Sequence, residues 1–340
     1  MLDRSQSLLL TAFLGGAVMA FAPLKPAQAL VITPTFDPSL SATSIGVINT
    51  AIAFYQTTFS DNSNVGPPGF PNVLNVAIEF HNMNSGLGSS TTFVTTQPYA
   101  LYRTNLGLDA TSANDAIATN PLITPLGPNN PVTGTPFINL KTANARAVGI
   151  NAPGGSFNFL NSPCPTFTGD SCIGLNLAIT NDAVLGGFSL ISVVEHEIDE
   201  ALGLGSELPS LTFLGGHPQA EDLFRFASPG VRSFAPNACG SEPPAFFSID
   251  GGVTNLDQFN NCTNGGDYGD WITHTPTQVQ DAFTNNSGNP ILTLTSPETI
   301  ALDVIGYTFA QQTPMPEPTS LGLLGLGLLG LGFSRRNRAG

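Results

Sequence analysis

An amphipathic helix with three different faces constrains this chain more than any other stretch of its sequence. Residues 188 to 206 read FSLISVVEHEIDEALGLGS. Side chains four positions apart lie on one face of a helix, so His196 and Glu200 share a side. Glu195 and Asp199 form a second side, which we expect to face solvent. The third side is apolar and is expected to face the core; it consists of Leu190, Val194, Ile198, Ala201 and Leu202.

The first of these sides has the residue types and the spacing of a metal site. His196 and Glu200 are candidate metal ligands, and Glu197 is placed to take a proton from a metal-bound water. The pattern is H-E-x-x-H with its second His replaced by Glu. Carboxylate oxygen is an accepted zinc ligand, although exchanging an imidazole for it lowers the Lewis acidity of the site. The alternative interpretation is an amphipathic helix with a solvated acidic edge.

A third ligand is expected after the helix, between Glu207 and Arg225. Asp222 is the first candidate, because it precedes a Leu-Phe-Arg-Phe segment that could hold it against the metal-binding face. His217 is the second candidate and is chemically the better zinc ligand, but it stands in a Gly-Gly-His-Pro loop.

The helix resembles the active-site helix of zincin metallopeptidases. The glycines after it, Gly203 and Gly205, are similar to those of the metzincin branch, although Ser206 stands where that branch has its third ligand. A closer resemblance is to bacterial exported metalloprotease-like proteins that combine an H-E-x-x-E helix with three further segments. Those segments are DLFR at 222–225, GGDYGDW at 265–271 and LDVIGY at 302–307.

This second resemblance covers most of residues 40 to 308. It implies an α+β fold: a zincin-like, metzincin-related single catalytic domain with a small mixed sheet, an active-site helix and an irregular C-terminal part. It also implies a bound Zn²⁺ and hydrolysis of peptide bonds in a protein or peptide substrate.

Both ends of the chain carry export signals. Residues 1–29 have a short charged start, an apolar run and an A-x-A end, which predict a signal peptide. Residues 30–310 form the predicted domain, and residues 311–320 form a Pro-rich linker. Residues 321–340 are an apolar segment with a basic tail; together with Pro316-Glu317-Pro318 they resemble the PEP-CTERM sorting signal.

The resemblance to a sorting signal implies an exosortase-type processing machinery as partner. The apolar run is shorter than the roughly 20 residues of a full bilayer span. We therefore expect contact with the membrane through this segment before processing, and a body on the envelope surface or outside the cell.

The acidic composition argues against nucleic acid as a partner, and one acidic loop is a candidate site for calcium. A formal net charge of −14 makes the chain a poor partner for nucleic acid. The acidic loop at 265–271 contains Asp267 and Asp270, which are candidates for a structural Ca²⁺, although the spacing matches no complete EF-hand loop.

The four cysteines fall into two local pairs. Cys164 with Cys172 and Cys239 with Cys262 are predicted to form disulfides, as expected for an even cysteine count in an exported protein. A cysteine zinc site is the alternative, and no C-x-x-C supports it.

Hydrophobic periodicity gives the remaining elements. Further helices are predicted at 44–59, in two pieces within 99–118 with a cap at Thr111-Ser112 or at Ser112 alone, at 278–283 and at 296–305. Strands are predicted at 73–80, 90–96, 137–140, 145–150, 175–180 and 245–249.

The sequence therefore predicts a secreted or surface-sorted zinc metalloendopeptidase with Glu197 as general base. The competing hypothesis is a noncatalytic envelope or extracellular-matrix protein that uses a zincin scaffold for adhesion or structure.

Overall fold

The computed structural model describes seven stretches of the chain. They are residues 30–61, 74–158, 164–180, 188–208, 215–234, 245–284 and 288–310. The predicted signal peptide, the linker and the C-terminal apolar segment lie outside them. The described residues combine helices with several small sheets.

The largest of these sheets is mixed. Strands β1 (Val31–Phe36) and β8 (Ser171–Leu175) both pair in parallel with β2 (Asn75–Asn82). Strand β3 (Gly88–Thr92) pairs antiparallel with β8, which gives the order β1-β2-β8-β3 and leaves β3 at one edge. Alternate side chains of β2 are buried, as expected where a strand presents every second residue to the core.

The described residues contain six α-helices. They are α1 (Ala42–Thr58), α2 (Tyr99–Asp109), α3 (Ala113–Ala118), α4 (Thr142–Ala147), α5 (Leu190–Leu202) and α6 (Pro297–Ile305). Helices α1 and α6 both pack against α5.

Smaller sheets complete the structure. Strand β4 (Val94–Pro98) pairs with β5 (Phe137–Lys141), and β6 (Gly155–Asn158) pairs with β7 (Thr166–Gly169). A second four-stranded sheet, in the order β10-β9-β11-β12, consists of β9 (Arg225–Ser228), β10 (Val231–Arg232), β11 (Phe246–Phe247) and β12 (Asp257–Gln258). A 3-10 turn at Glu221–Phe224 leads into β9.

Helix α5 has the limits that its sequence predicts. The Ser189 side chain accepts a hydrogen bond from the backbone N–H of Ser192 and caps the N-terminus. The helix ends at Gly203, whose φ of 156° disfavours a side chain. A Cβ there would also lie 2.7 Å from Ile305 in α6, so glycine permits the close approach of the two helices. The predicted apolar side is buried throughout.

The predicted solvent-facing side of α5 is instead buried, so this prediction was wrong. Glu195 is 2% exposed and Asp199 is fully buried. The Tyr55 hydroxyl of α1 donates to the Glu195 backbone carbonyl (2.8 Å) and to Asp199 Oδ1 (2.9 Å), and the Leu292 N–H donates to Glu195 Oε2 (3.0 Å). Both carboxylates thus fasten α5 to its neighbours.

Four of the predicted elements differ from the structure. The strand predicted at 90–96 is two strands, β3 and β4, which belong to different sheets. The first half of the predicted strand at 145–150 belongs to α4 and the second half is irregular, because a short apolar run fits both helical and strand periods. The predicted strand at 175–180 ends at Leu175, where the Asn176 carbonyl accepts the Thr180 N–H and begins a turn. The predicted helix at 278–283 is instead an irregular segment, in which the Gln280 carbonyl accepts the Trp271 N–H.

Several other predictions are confirmed. Helices α1 and α6 match the predicted segments at 44–59 and 296–305, and Ser112 caps α3 through a capping box. Cys164 and Cys172 form a disulfide with a Cα–Cα distance of 6.1 Å. Cys262 is also disulfide-bonded, while Cys239 lies outside the described residues.

Candidate metal centre

One face of α5 borders a cavity of about 720 Å³. The edge strand β3 and the loop at 265–270 also contribute to its wall, with the segments at 277–284 and 288–290. The ionisable residues that line the cavity are His196, Glu197, Glu200, Asp267, Asp270 and Asp281.

His196 presents one ring nitrogen to this cavity. Its Nδ1 lies 3.0 Å from the Val279 carbonyl oxygen, an acceptor that fixes the proton on Nδ1 when the ring is neutral. Its Nε2 lies 3.8 Å from Glu200 Oε1 and 3.8 Å from Asp270 Oδ1. Nε2 therefore faces the same space as two carboxylate oxygens, as expected for ligands of a single ion.

Glu200 is held by the edge strand. The Ser90 hydroxyl in β3 donates to Glu200 Oε2 at 2.6 Å, which leaves Oε1 facing His196. Glu200, His196 and Asp270 each offer a ligand atom, and these three atoms lie within 4.8 Å of one another. Ligand atoms at about 2.1 Å from a tetrahedral ion lie roughly 3.4 Å apart, so the three need only a small adjustment to share one ion.

Asp270 reaches the cluster because the acidic loop crosses the end of α5. Gly269 passes so close to Gly205 that a Cβ would meet its backbone and would lie 2.8 Å from the Ser206 nitrogen. The fully buried Arg225 donates to the Tyr268 carbonyl at 2.8 Å and holds the loop from the other side. Asp270 is only 3% exposed as a result.

Glu197 lies beside the three residues of this cluster, and one of its carboxylate oxygens makes no hydrogen bond. The residue is 5% exposed, and its Oε2 is buried without a hydrogen-bond partner. A Cβ on Gly88 in β3 would collide with the Glu197 carboxylate, so glycine at this position makes room for it. Burial, and then the Glu200 carboxylate, raise the pKa of Glu197 well above its usual range.

The electrostatics of the cluster favour a cation. Burial lowers the pKa of His196, but the carboxylates of Asp270, Glu200 and Glu197 outweigh it and raise that pKa to about 10. Burial raises the pKa of Asp270 to about 7, opposed by His196 and assisted by Glu200. Several carboxylates thus converge on a single imidazole, and a bound divalent ion would offset their repulsion.

The two residues predicted as third ligand lie elsewhere. Asp222 is fully buried and accepts hydrogen bonds from the Ser206 hydroxyl (2.5 Å) and the Gln219 N–H (2.9 Å). His217 packs against the Phe137 ring, with centroids 5.2 Å apart. Among the described residues, the group that contains His196 and Glu200 includes neither of them.

The local sequence around Asp270 indicated only a calcium site. Its loop belongs to the GGDYGDW segment of the resemblance, and that segment was the one signal pointing to it. No spacing rule joins Asp270 to a helix some 70 positions earlier. Ser90 and Gly88 carried no signal of their own, because their roles depend on the pairing of β3 beside α5.

A second group of potential ligand atoms has no metal-binding capacity. His81 lies near Cys164 and Cys172, but these cysteines form a disulfide and offer no thiolate. His81 instead lies 3.4 Å from Asp37 Oδ2 and 3.2 Å from Glu79 Oε2.

Comparison with known proteins identifies the C-terminus of the chain. Residues 316–336 match the PEP-CTERM protein-sorting motif. No curated protein and no solved structure shows significant similarity to the chain. Within the described stretches, no helix has both the length and the apolar character needed to cross a membrane.

The sorting motif establishes the destination of the protein. The chain is exported, processed by exosortase sorting machinery, and delivered to the cell envelope or the extracellular space. The resemblance of the body to zincin metallopeptidases stays a prediction.

Proposed function

We propose that the exported protein is a metallopeptidase that hydrolyses peptide bonds with a bound divalent cation, zinc being the first candidate. One observation carries the proposal. His196 Nε2, Glu200 Oε1 and Asp270 Oδ1 converge at a cavity where the Glu197 carboxylate lies beside them with an oxygen unused.

The donor set fits such a cation. One imidazole and two carboxylates are accepted zinc ligands. The Val279 carbonyl and the Ser90 hydroxyl orient His196 and Glu200 by hydrogen bonds, as groups behind the ligands do in metal sites. When bound, the cation would polarise a substrate carbonyl and lower the pKa of water.

Glu197 is the proposed general base. Burial and the Glu200 carboxylate raise the pKa of Glu197 well above its usual range, and a bound cation beside it would favour the ionised form that a general base needs. Its place between the cluster and β3 allows it to take a proton from an attacking water and pass it to the leaving amine. Gly88 leaves the carboxylate the space to do so.

Extended polypeptide is the proposed substrate. Strand β3 is an edge strand and forms part of the cavity wall, so a peptide lying along it would pass the cluster. The cavity borders several carboxylates, which disfavours acidic peptides.

A noncatalytic envelope protein is the competing function. The observation that favours it is the single imidazole of the cluster, because replacing the second His with Glu200 weakens the Lewis acidity of a bound ion.

Metal analysis beside a Glu197→Gln variant separates the two functions. We expect about one divalent ion per chain in both proteins, with hydrolysis of an unstructured protein lost only in the variant. Glu207→Gln makes the same exchange outside the cluster and should retain activity. Bound metal without hydrolysis in the wild-type protein would favour the noncatalytic role, and absence of metal would exclude the proposal.

A further inference from the structure

Gln280 occupies a fixed position at the candidate metal site formed by His196, Glu200 and Asp270. The residue is fully buried. Its backbone N–H donates to Glu298 Oε1 at 3.1 Å, and its carbonyl accepts the Trp271 N–H at 2.8 Å. Because both backbone groups are hydrogen-bonded, the backbone of this residue is held in place and fixes the direction in which the side chain leaves it.

The side-chain amide contacts two of the three candidate ligand atoms. Gln280 Nε2 donates to Asp270 Oδ1 at 2.9 Å and lies 3.4 Å from His196 Nε2. These are the same atoms that approach each other and Glu200 in the cluster. The amide hydrogens of Gln280 therefore give these two ligand atoms the partial positive charge that a bound cation would otherwise give them.

The other end of this amide has no partner. Gln280 Oε1 is buried and makes no hydrogen bond, and an unsatisfied buried acceptor costs about 1–3 kcal/mol. The last torsion of a glutamine is broad, so a half-turn that exchanges the nitrogen and the oxygen is inexpensive. That half-turn would place Oε1 where Nε2 now lies, beside Asp270 and His196.

We propose that Gln280 is a fourth protein ligand of the metal, binding through Oε1 once a cation enters and stabilising the empty cluster through Nε2 before it does. The inference rests on the metal site of the proposed function and extends it to a residue that lies outside the helix motif. Amide oxygen is a ligand for hard divalent cations.

A fourth ligand has a consequence for the choice of metal. Four protein donors complete the shell of a tetrahedral zinc ion, so zinc would have to expand to five ligands to admit a substrate. Manganese, whose shell accommodates about six ligands, would keep positions open with the same one nitrogen and three oxygens. Hydrolysis supported by Mn²⁺ as well as by Zn²⁺ is therefore expected.

Metal affinity of two Gln280 variants tests the inference directly. We expect calorimetric titration of the exported, metal-stripped protein with Zn²⁺ and with Mn²⁺ to give binding at least 10-fold weaker in Gln280→Leu. Gln280→Glu keeps an oxygen at the same reach and should bind at least as tightly as the wild-type protein. The d–d absorption of bound Co²⁺ should differ between Gln280→Leu and the wild-type protein.

Gln219→Leu is the matched control. Gln219 is 5% exposed and also has a buried Oε1 without a partner, but its amide nitrogen donates to Glu207 outside the cluster. This variant should lose stability without losing metal affinity.

The outcomes separate this inference from the proposed function. Unchanged affinity and an unchanged Co²⁺ spectrum in Gln280→Leu would overturn the role of Gln280 alone, as would equally weak binding in Gln280→Glu and Gln280→Leu. A wild-type protein that binds no metal would overturn both. Metal binding that depends on Gln280 without any peptide hydrolysis would support the ligand and reject the peptidase.

Discussion

Asp222 and Asp270 are two buried aspartates whose different contacts give them different roles. Asp222 and Asp270 are both nearly inaccessible, and burial raises the pKa of Asp222 to about 6 and that of Asp270 to about 7. Asp222 accepts two hydrogen bonds and lies near Arg225, so it is satisfied by its own surroundings. Asp270 faces an imidazole and another carboxylate.

Exchanging each aspartate for asparagine tests this difference. We expect Asp270→Asn to weaken Zn²⁺ binding by about 10-fold to 100-fold, because one charged donor is lost. Asp222→Asn should leave the affinity unchanged while lowering the melting temperature, since both carboxylate oxygens accept hydrogen bonds and an amide keeps only one acceptor oxygen. Equal affinities in calorimetric titrations of the two variants would remove Asp270 from the site.

Among the individual site residues, the sequence predicted only those whose positions follow from the geometry of one helix. His196, Glu197 and Glu200 occupy one helix, so their spacing is enough to place them together. Asp270 and Gln280 reach the cluster through loops, whose course depends on Gly269, Arg225 and Trp271. Contacts of that kind are made between distant segments and leave no local pattern.

Among the secondary-structure elements, the edge strand β3 leaves no room for a side chain at Gly88. Ser90 orients Glu200, and Gly88 faces the Glu197 carboxylate and the Val193 side chain. A single continuous strand was predicted at 90–96, whereas the structure has two strands in different sheets. The change of sheet after Thr92 allows β3 to approach α5 while β4 pairs with β5.

A methyl group on Gly88 should therefore disturb catalysis more than metal binding. In Gly88→Ala the new Cβ would lie 2.8 Å from Val193 Cγ1 and would collide with Glu197. We expect kcat to fall at least 10-fold, with Zn²⁺ stoichiometry unchanged. Gly46→Ala in α1, where a Cβ meets nothing within 4 Å, is the control and should keep full activity. Equal kcat values in the two variants would contradict this role of Gly88.

The helices were predicted better than the short strands. Helix α5 has a cap, a long periodic stretch and a terminal glycine, and these signals agree with one another. Strands β9 to β12 are each two to four residues long, too short to show a period. The burial of Glu195 and Asp199 was missed because polarity alone does not reveal a partner such as the Tyr55 hydroxyl.

Considered as a whole, the molecule buries many acidic groups far from the metal cluster. Asp303 in α6 is fully buried and accepts hydrogen bonds from the Ser112 hydroxyl and the Asn114 amide. Burial, and then the charge of Asp115, raise the pKa of Asp303 to about 7. Burial and Asp115 likewise raise the pKa of Asp109 to about 7.

These raised pKa values predict greater stability in mild acid. Between about pH 4 and pH 7 the unfolded chain has lost protons that the folded chain still holds, so the free energy of unfolding falls as pH rises. We expect a lower urea midpoint at pH 8 than at pH 5.5. Asp303→Asn should recover roughly 2 to 4 kcal/mol at pH 8 and little at pH 4.

Asp250→Asn provides a control of opposite sign. Slight burial raises the pKa of Asp250, but hydrogen bonds from Thr254, Ser248 and Val253 outweigh it and lower that pKa. Removing this charge should destabilise the protein at pH 8. A wild-type urea midpoint that rises steadily from pH 5.5 to pH 8 would contradict the assignment of raised pKa values to the buried acids.

The sorting motif predicts that the working protein is shorter than its gene product. We expect the intact mass of the protein recovered from the envelope or medium to lack the residues that follow the Pro316-Glu317-Pro318 segment. Replacing Glu317 and Pro318 with alanines should preserve the full C-terminus. Recovery of unprocessed wild-type protein outside the cell would contradict this.

The residues of the candidate metal site are spread along the chain, and this has a consequence during synthesis. Ser90 emerges from the ribosome first, His196 and Glu200 follow, and Asp270 and Gln280 come near the end. Helix α6, which packs against α5, is later still. A nascent or prematurely terminated chain therefore lacks a complete set of the proposed ligands, and the proposed hydrolysis could not begin inside the cell before the last of them has been translated.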